Sequence, residues 1–150
     1  MHGLPLLQFV AVALLILVNA FFVAAEFALV SVRDTRIEQM VDAGVPGARA
    51  VRRLQHNLDE FLPAVQLGVT LCSLALGWIG EPLAANIFLD WLALLPTIPV
   101  HALVYAHMGA IVVSFACITY LQVLVGELVP KSLALRRAEA LAVAVAPPML

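Results

Sequence analysis

From residue 4 to residue 32 the chain carries a single ionisable side chain, Glu26, in a run dominated by Leu, Val, Ala and Phe. That run is longer than the roughly 20 residues needed to cross a bilayer, so the helix it predicts tilts or protrudes. Two further apolar runs follow, at about 62–79, opening near Pro63, and at about 100–125. Lipid offers no partners to backbone N–H and C=O groups, so each run must close its own hydrogen bonds as a helix. Composition agrees, with 63% hydrophobic and 12% charged residues; a soluble domain is about half apolar and a quarter charged. The predicted fold is all-α and integral to the membrane, with three transmembrane helices. The first run does not read as a cleaved signal peptide, because no Lys or Arg precedes it and its apolar part is too long. A fourth apolar stretch, 133–150, is diluted by Arg136, Arg137 and Glu139. It predicts either an interfacial helix or the start of another span.

Charge placement predicts topology. All eight Lys and Arg residues lie in two places. Arg33, Arg36, Arg49, Arg52 and Arg53 separate spans one and two, and Lys131, Arg136 and Arg137 follow span three. The loop expected at about 80–99 holds Glu81 and Asp90 and no cation. Positive-inside bias therefore predicts that residues 33–61 and the C-terminal end are cytoplasmic, with the N-terminus outside, in a cell membrane crossed several times. There is no basic tract for nucleic acid. Cys72 and Cys117 sit in apolar runs without metal-ligand spacing and read as small packing residues. His2, His101 and His107 lack ligand spacing and read as incidental, and Trp78 and Trp91 as interfacial anchors.

The connection between spans one and two predicts two short amphipathic helices on the inner membrane surface. Asp34 is the expected N-cap of the first, with Ile37, Met40 and Val41 at helical spacing and Gly44 as its stop. The second restarts after Pro46, with Val51, Leu54, Leu58 and Phe61 on one stripe and Arg52, Arg53 and His56 off it. The plainer reading of the arginines is contact with lipid headgroups. The functional one is a belt or hinge that couples the membrane part to a cytoplasmic one.

Polar residues inside the spans form stripes. Span one has Asn19 and Glu26, seven apart, with Phe22 between them. Span two has Gln66, Thr70, Ser73 and Gly77 at spacings of four, three and four. Span three has Tyr120 and Glu127, again seven apart, with Thr119 close by. Such stripes turn away from lipid, toward other helices or a water-filled cavity, which predicts a shared polar centre. Plainer readings stand beside each: hydroxyls as helix glue, Gln66 and Asn19 as interhelical hydrogen-bond partners, Glu26 paired with Arg33, and Gly68 and Gly77 as close-packing sites.

Glu127 carries the sharpest expectation. Pro130 cannot donate a backbone hydrogen bond, so it frees the carbonyl of Gly126, four residues earlier. A carboxylate beside a bare carbonyl is a pair of hard oxygens, as Mg²⁺ and Ca²⁺ require. Broken helices that line a cavity are also where transporters hold ions. The competing reading is a Glu127–Lys131 ion pair on a continuous helix; Pro130, as a helix breaker, argues against it.

Three segments, "NAFFVAAEFALVSVR" (19–33), "QLGVTLCSLALGWIGEP" (66–82) and "GELVPKSLALRR" (126–137), together resemble the transmembrane domain of the CorC / cyclin M family, also called hemolysin C-like. The resemblance covers nearly the whole chain, and its last motif is the most specific. It implies a homodimer, three transmembrane helices per chain and a juxtamembrane helical belt. It also implies Mg²⁺ transport, with Na⁺-coupled export as the usual proposal. Gly126 and Glu127 match its Gly-Glu metal-binding element, and Thr70 and Ser73 fall in the second-helix segment that supplies polar ligands; the polar residues of the first span, Asn19 and Glu26, complete the candidate set. Pro130, Lys131, Gly77 and Gln66 take supporting or gating places. Family members often carry Ser where this chain has Val23, which removes a hydroxyl ligand and leaves Glu26 or Asn19 to compensate. The resemblance further implies continuation into cytoplasmic CBS domains, which bind adenine nucleotide, and a CorC domain. On that basis the 150 residues read as one transmembrane domain cut near its C-terminal end. Two other function classes remain: export of another cation such as a polyamine, with Phe22, Phe115 and Tyr120 as candidate aromatic walls, and a non-transporting dimeric anchor. No nucleophile–base pair or His/Cys cluster suggests an enzyme.

Overall fold

The computed structural model describes residues 3–93 and 100–150. His2 and the side chain of His101 lie outside the described residues, as does 94–99 of the expected outer loop. The chain is helical almost throughout. In order it forms α1 (Gly3–Ser31), α2 (Asp34–Asp42), α3 (Ala48–His56), α4 (Leu58–Ala93) and α5 (Val100–Leu121). A π-helical turn (Gln122–Leu128), α6 (Val129–Arg136), α7 (Ala138–Val145) and a 3₁₀ turn (Pro147–Met149) complete it.

Three helical stretches are long and apolar enough to cross a membrane: Leu6–Ser31, Leu58–Trp91 and His107–Arg136. Their outward faces carry exposed Leu14, Leu17, Leu71, Leu74, Val112 and Phe115, a distribution that suits lipid and not water. The second span is far longer than its apolar run suggested. Instead of ending at Ile79 in a loop, α4 continues through Pro82 to Ala93. One proline removes only one bond of a helix whose other bonds and packing persist.

Two apolar clusters hold the bundle. One joins the ends of α1, α4 and α6 to α2, α3 and α7 around Leu29, Ile37, Val51, Val65 and Val145. The other, toward the opposite end, joins Val12, Ile16, Leu76 and Leu83. The layer between them is polar.

The first cluster builds a belt at the basic end. α2 begins one residue earlier than expected: Arg33 is its N-cap and Asp34 falls in its first turn. It stops where predicted. Gly44 has φ +72°, and the amides of Gly44 and Val45 donate to the carbonyls of Val41 and Met40, the paired bonds of a Schellman stop. α3 starts from Gly47, φ +86°, and buries Val51 and Leu54. The expected single stripe to Phe61 is interrupted at Asn57, whose φ/ψ of −120°/38° ends α3. Leu58 and Phe61 therefore belong to α4.

Gln55 locks this belt to the first span. Its Nε2 donates to the carbonyls of Leu29 and Val32 at 3.2 and 2.7 Å, groups that the end of a helix leaves without partners. The stretch after span three joins the same belt. Arg137 (φ/ψ −134°/44°) breaks α6 from α7, and α7 packs Ala142, Val145 and Ala146 into the first cluster. α7 is a short helix packed on the belt and is not among the helices long and apolar enough to cross a membrane. Arg36 and Glu139 tie α2 to α7 at 2.9 Å. That hydrogen bond and the carboxylate's charge raise the Arg36 guanidinium above its ordinary pKa.

Candidate functional site

The third span is not broken at Pro130. Backbone angles at Leu128 (−65°, −45°) and Val129 (−66°, −51°) stay helical, and the chain passes through Pro130 into α6. What replaces the break is the π turn, in which the Val129 amide donates to the carbonyl of Leu124, five residues back. A wider turn gives the proline ring room away from the preceding carbonyls.

The consequence for Gly126 is as the sequence suggests: the position that would close its α-helical bond is Pro130, which has no N–H. Asn19 Nδ2 takes the place of that donor, at 3.1 Å across 107 residues of sequence. Gly126 must be glycine for this approach, since a Cβ there would stand 2.9 Å from Asn19 Nδ2. Asn19 is 1% exposed, and its Oδ1 has no partner. One turn before Gly126, Gln122 Nε2 donates to Ser73 Oγ, which itself donates to the Val69 carbonyl at 2.9 Å. Asn19, Gly126, Gln122 and Ser73 make up the polar layer between the two apolar clusters.

Beside this layer, toward the basic end, lies a cavity of about 450 Å³. Glu26, Gln66, Thr70, Glu127 and Lys131 line it, with Val23 among its apolar walls. Three spans therefore contribute to one polar centre. Among the described residues, neither Glu26 nor Glu127 makes an ion pair. The Glu26–Arg33 and Glu127–Lys131 alternatives are not formed; Lys131 Nζ rests 4.4 Å from the centroid of the Phe27 ring. Thr70 Oγ1 donates to the Gln66 carbonyl at 2.8 Å, which leaves its lone pairs available. No group of three His, Cys, Asp or Glu side chains gathers among the described residues. A cation here would draw on two carboxylates, a hydroxyl, amide oxygens and water, a hard-oxygen set.

Several sequence expectations part from this arrangement. Ser73 bonds Gln122 and does not line the cavity. Gly77 has open space around its Cβ position, whereas at Gly68 a Cβ would meet the Phe22 ring at 2.8 Å, so of these two glycines Gly68 is the close-packing site. Tyr120 is 69% exposed and does not share Glu127's cavity. The π turn begins after Tyr120 and contains Glu127, and its extra residue per turn rotates the later side chains by about a quarter of a circle. Phe115 is exposed as well, so of the proposed aromatic walls neither Phe115 nor Tyr120 faces the cavity. Cys72 is buried as a packing residue, while Cys117 is exposed. Gln122, Gln55 and Ser114 escaped the sequence reading. The first was legible as an amide four residues before Gly126; Ser114, buried with an unpartnered Oγ, had only its isolation in an apolar run.

Comparison with known proteins places the chain. The model of the cyclin M transmembrane N-terminal domain matches residues 9–150. UPF0053 protein YugS of Bacillus subtilis is 41% identical over 145 residues, covering 97% of this chain and 33% of that protein. UPF0053 protein YhdP of the same organism is 38% identical over 147 residues, covering 98% and 32%. Uncharacterized protein Rv1841c of Mycobacterium tuberculosis is 40% identical over 148 residues, covering 98% and 41%. This chain spans about a third of the length of the curated relatives it matches first. It belongs to the cyclin M transmembrane domain family and is a multi-pass membrane domain.

Proposed function

We propose that this domain carries Mg²⁺ across the membrane, by Na⁺-coupled export, through the cavity between its three spans. The observation that carries the reading is the meeting of Glu26 and Glu127, from spans one and three, with Thr70 of span two in one cavity, neither carboxylate paired. Unpaired carboxylates within a membrane are costly unless water or an ion accompanies them. In the adjoining polar layer the Asn19 Oδ1 has no partner, and Gly126 keeps a second lone pair on its carbonyl. Mg²⁺ uses one or two carboxylates and retains waters, and the cavity has room for a hydrated ion. The positive-inside argument then sets this cavity toward the cytoplasm, with residues 33–61 inside.

A homodimer fits the bundle's surface. Gly77, with open space at its Cβ position, lies between exposed Leu74 and Trp78 on α4, and a small residue on an apolar face lets a second helix approach closely. Nucleotide regulation would belong to further domains of the full-length protein.

One observation favours the non-transporting anchor as second reading: Val23, 5% exposed, sits in the cavity wall where a hydroxyl would add a ligand. Thermal unfolding of the purified chain in Mg²⁺ separates the two. A ligand that binds only the folded state stabilises it by about 2.7 kcal/mol at a hundredfold excess over Kd. Stabilisation by Mg²⁺, reduced by Na⁺ competition and lost in Glu127→Gln, is the expected result. Indifference of the parent to Mg²⁺ would sink the transport reading, and stabilisation by spermidine instead would indicate an organic cation.

A further inference from the structure

A second cavity, of about 700 Å³, opens at the basic end of the bundle, between the end of α1, the start of α2 and the α6–α7 junction. Arg33, Arg36, Arg136 and Arg137 line it, half of all the cations in the chain. The acid in its wall is Glu139, already engaged by Arg36.

Part of its backbone has the same polarity, beside the carbonyl ends of α1 and α6 that also reach it. α2 starts at this cavity from Arg33 and α7 starts at it from Arg137, and neither helix has a side-chain cap. The first amides of both helices therefore lack side-chain partners, and both positive dipole ends converge on one space. Such amides bind phosphate well, and here arginine guanidinium groups stand beside them.

The cavity also lies at the ends of two of the apolar spans, where lipid phosphates are expected. Its walls include Ser31 and Val32, at the end of span one, and Leu135 and Arg136, at the end of span three. Arg136 belongs at the same time to an apolar groove of about 440 Å³ that runs along the third span past Leu124, Leu128 and Leu133. A basic cavity thus continues, through one arginine, into a groove that faces the acyl region. Soluble phosphate has no use for the groove, and a phospholipid uses both parts.

We propose that this cavity is a specific site for an anionic phospholipid, its phosphate held by the arginines and the two helix starts and an acyl chain lying in the groove. Glu139 competes with the headgroup for Arg36. The lipid would thereby clamp α7 and the belt against the spans. The site shares no residue with the acidic cavity, so the proposal stands or falls apart from the transport reading.

The test is thermal stabilisation of the purified chain in detergent, titrated with short-chain phosphatidylglycerol, the matching phosphatidylcholine and inorganic phosphate. Phosphatidylglycerol is expected to bind more tightly than either of the others. A juxtamembrane arginine contributes about fivefold in affinity for anionic lipid. Arg136→Gln with Arg137→Gln should therefore weaken binding by on the order of tenfold or more. The charge-matched pair Arg52→Gln with Arg53→Gln, outside the cavity, should change it by less than about twofold. Glu139→Gln should tighten binding, a gain that misfolding cannot imitate. Equal binding of the two lipids, equal losses in both arginine pairs, or no gain in Glu139→Gln would each overturn the proposal. Inorganic phosphate binding as tightly as the lipid would overturn it in favour of a free-phosphate site.

Discussion

Asn19 meets two demands at once. Its Nδ2 supplies the donor that Pro130 withholds from Gly126, and its Oδ1 is left buried and unpaired. A buried polar atom without a partner costs about 1–3 kcal/mol, while interhelical hydrogen bonds in membranes return about 0.6 kcal/mol on average. Helix glue accounts for its Nδ2 and not for its Oδ1, which the proposed cation site would supply with a partner. Val23 is the complementary case, an apolar side chain in the cavity wall that holds Glu26 and Thr70. Val23→Ser would place a hydroxyl oxygen there. It is expected to tighten Mg²⁺ binding several-fold, by the about 1 kcal/mol that one added hard-oxygen contact returns, while lowering stability without Mg²⁺ by about 1 kcal/mol through lost packing. Thermal titration with and without Mg²⁺ checks both signs. An unchanged Mg²⁺ response would place position 23 outside the ligand shell.

At the scale of elements, the π turn and the belt turns do the positioning. The π turn keeps the third span continuous through Pro130 and rotates Glu127 off the face of Tyr120. The belt depends on two glycines with positive φ, and their surroundings differ. A Cβ at Gly44 would meet nothing within 4 Å, whereas one at Gly47 would collide with the backbone carbonyl of Val143 in α7. Gly44→Ala carries only the left-handed penalty, about 1–2 kcal/mol. Gly47→Ala adds overpacking against backbone, for a total of about 3 kcal/mol. For a chain of this size that corresponds to a drop of about 3–6 °C in Tm for the first, and roughly 10 °C for the second. Comparable losses would mean that α7 does not pack on the start of α3.

At the scale of the whole molecule, a polar layer separates two apolar clusters, an acidic cavity adjoins that layer, and a basic belt closes one end. The belt's orientation is testable. In cells, with Cys72 and Cys117 replaced by Ala, a membrane-impermeant maleimide should label Asp90→Cys and leave Asp42→Cys unlabelled until the membrane is permeabilised. The reverse pattern would invert the topology. Much of this organisation follows from composition and spacing. Bilayer thickness and the demand for internal hydrogen bonds turn three apolar runs into three helices. The scarcity of charge singles out Glu26 and Glu127, and the left-handed turn at Gly44 needs a glycine. Other features depend on contacts between segments far apart in sequence. Pro82 and Pro130 sit inside helices because neighbouring spans and a π turn accommodate them, which local propensity does not encode. Seven-residue spacing failed at Tyr120 because it presumes an unbroken α register. The partner of the Gly126 carbonyl is 107 residues away. The convergence of four arginines with two helix starts exists only because α7 folds back onto α1. Residue type and local spacing determined what each segment must be; long-range packing alone decided which polar atoms meet.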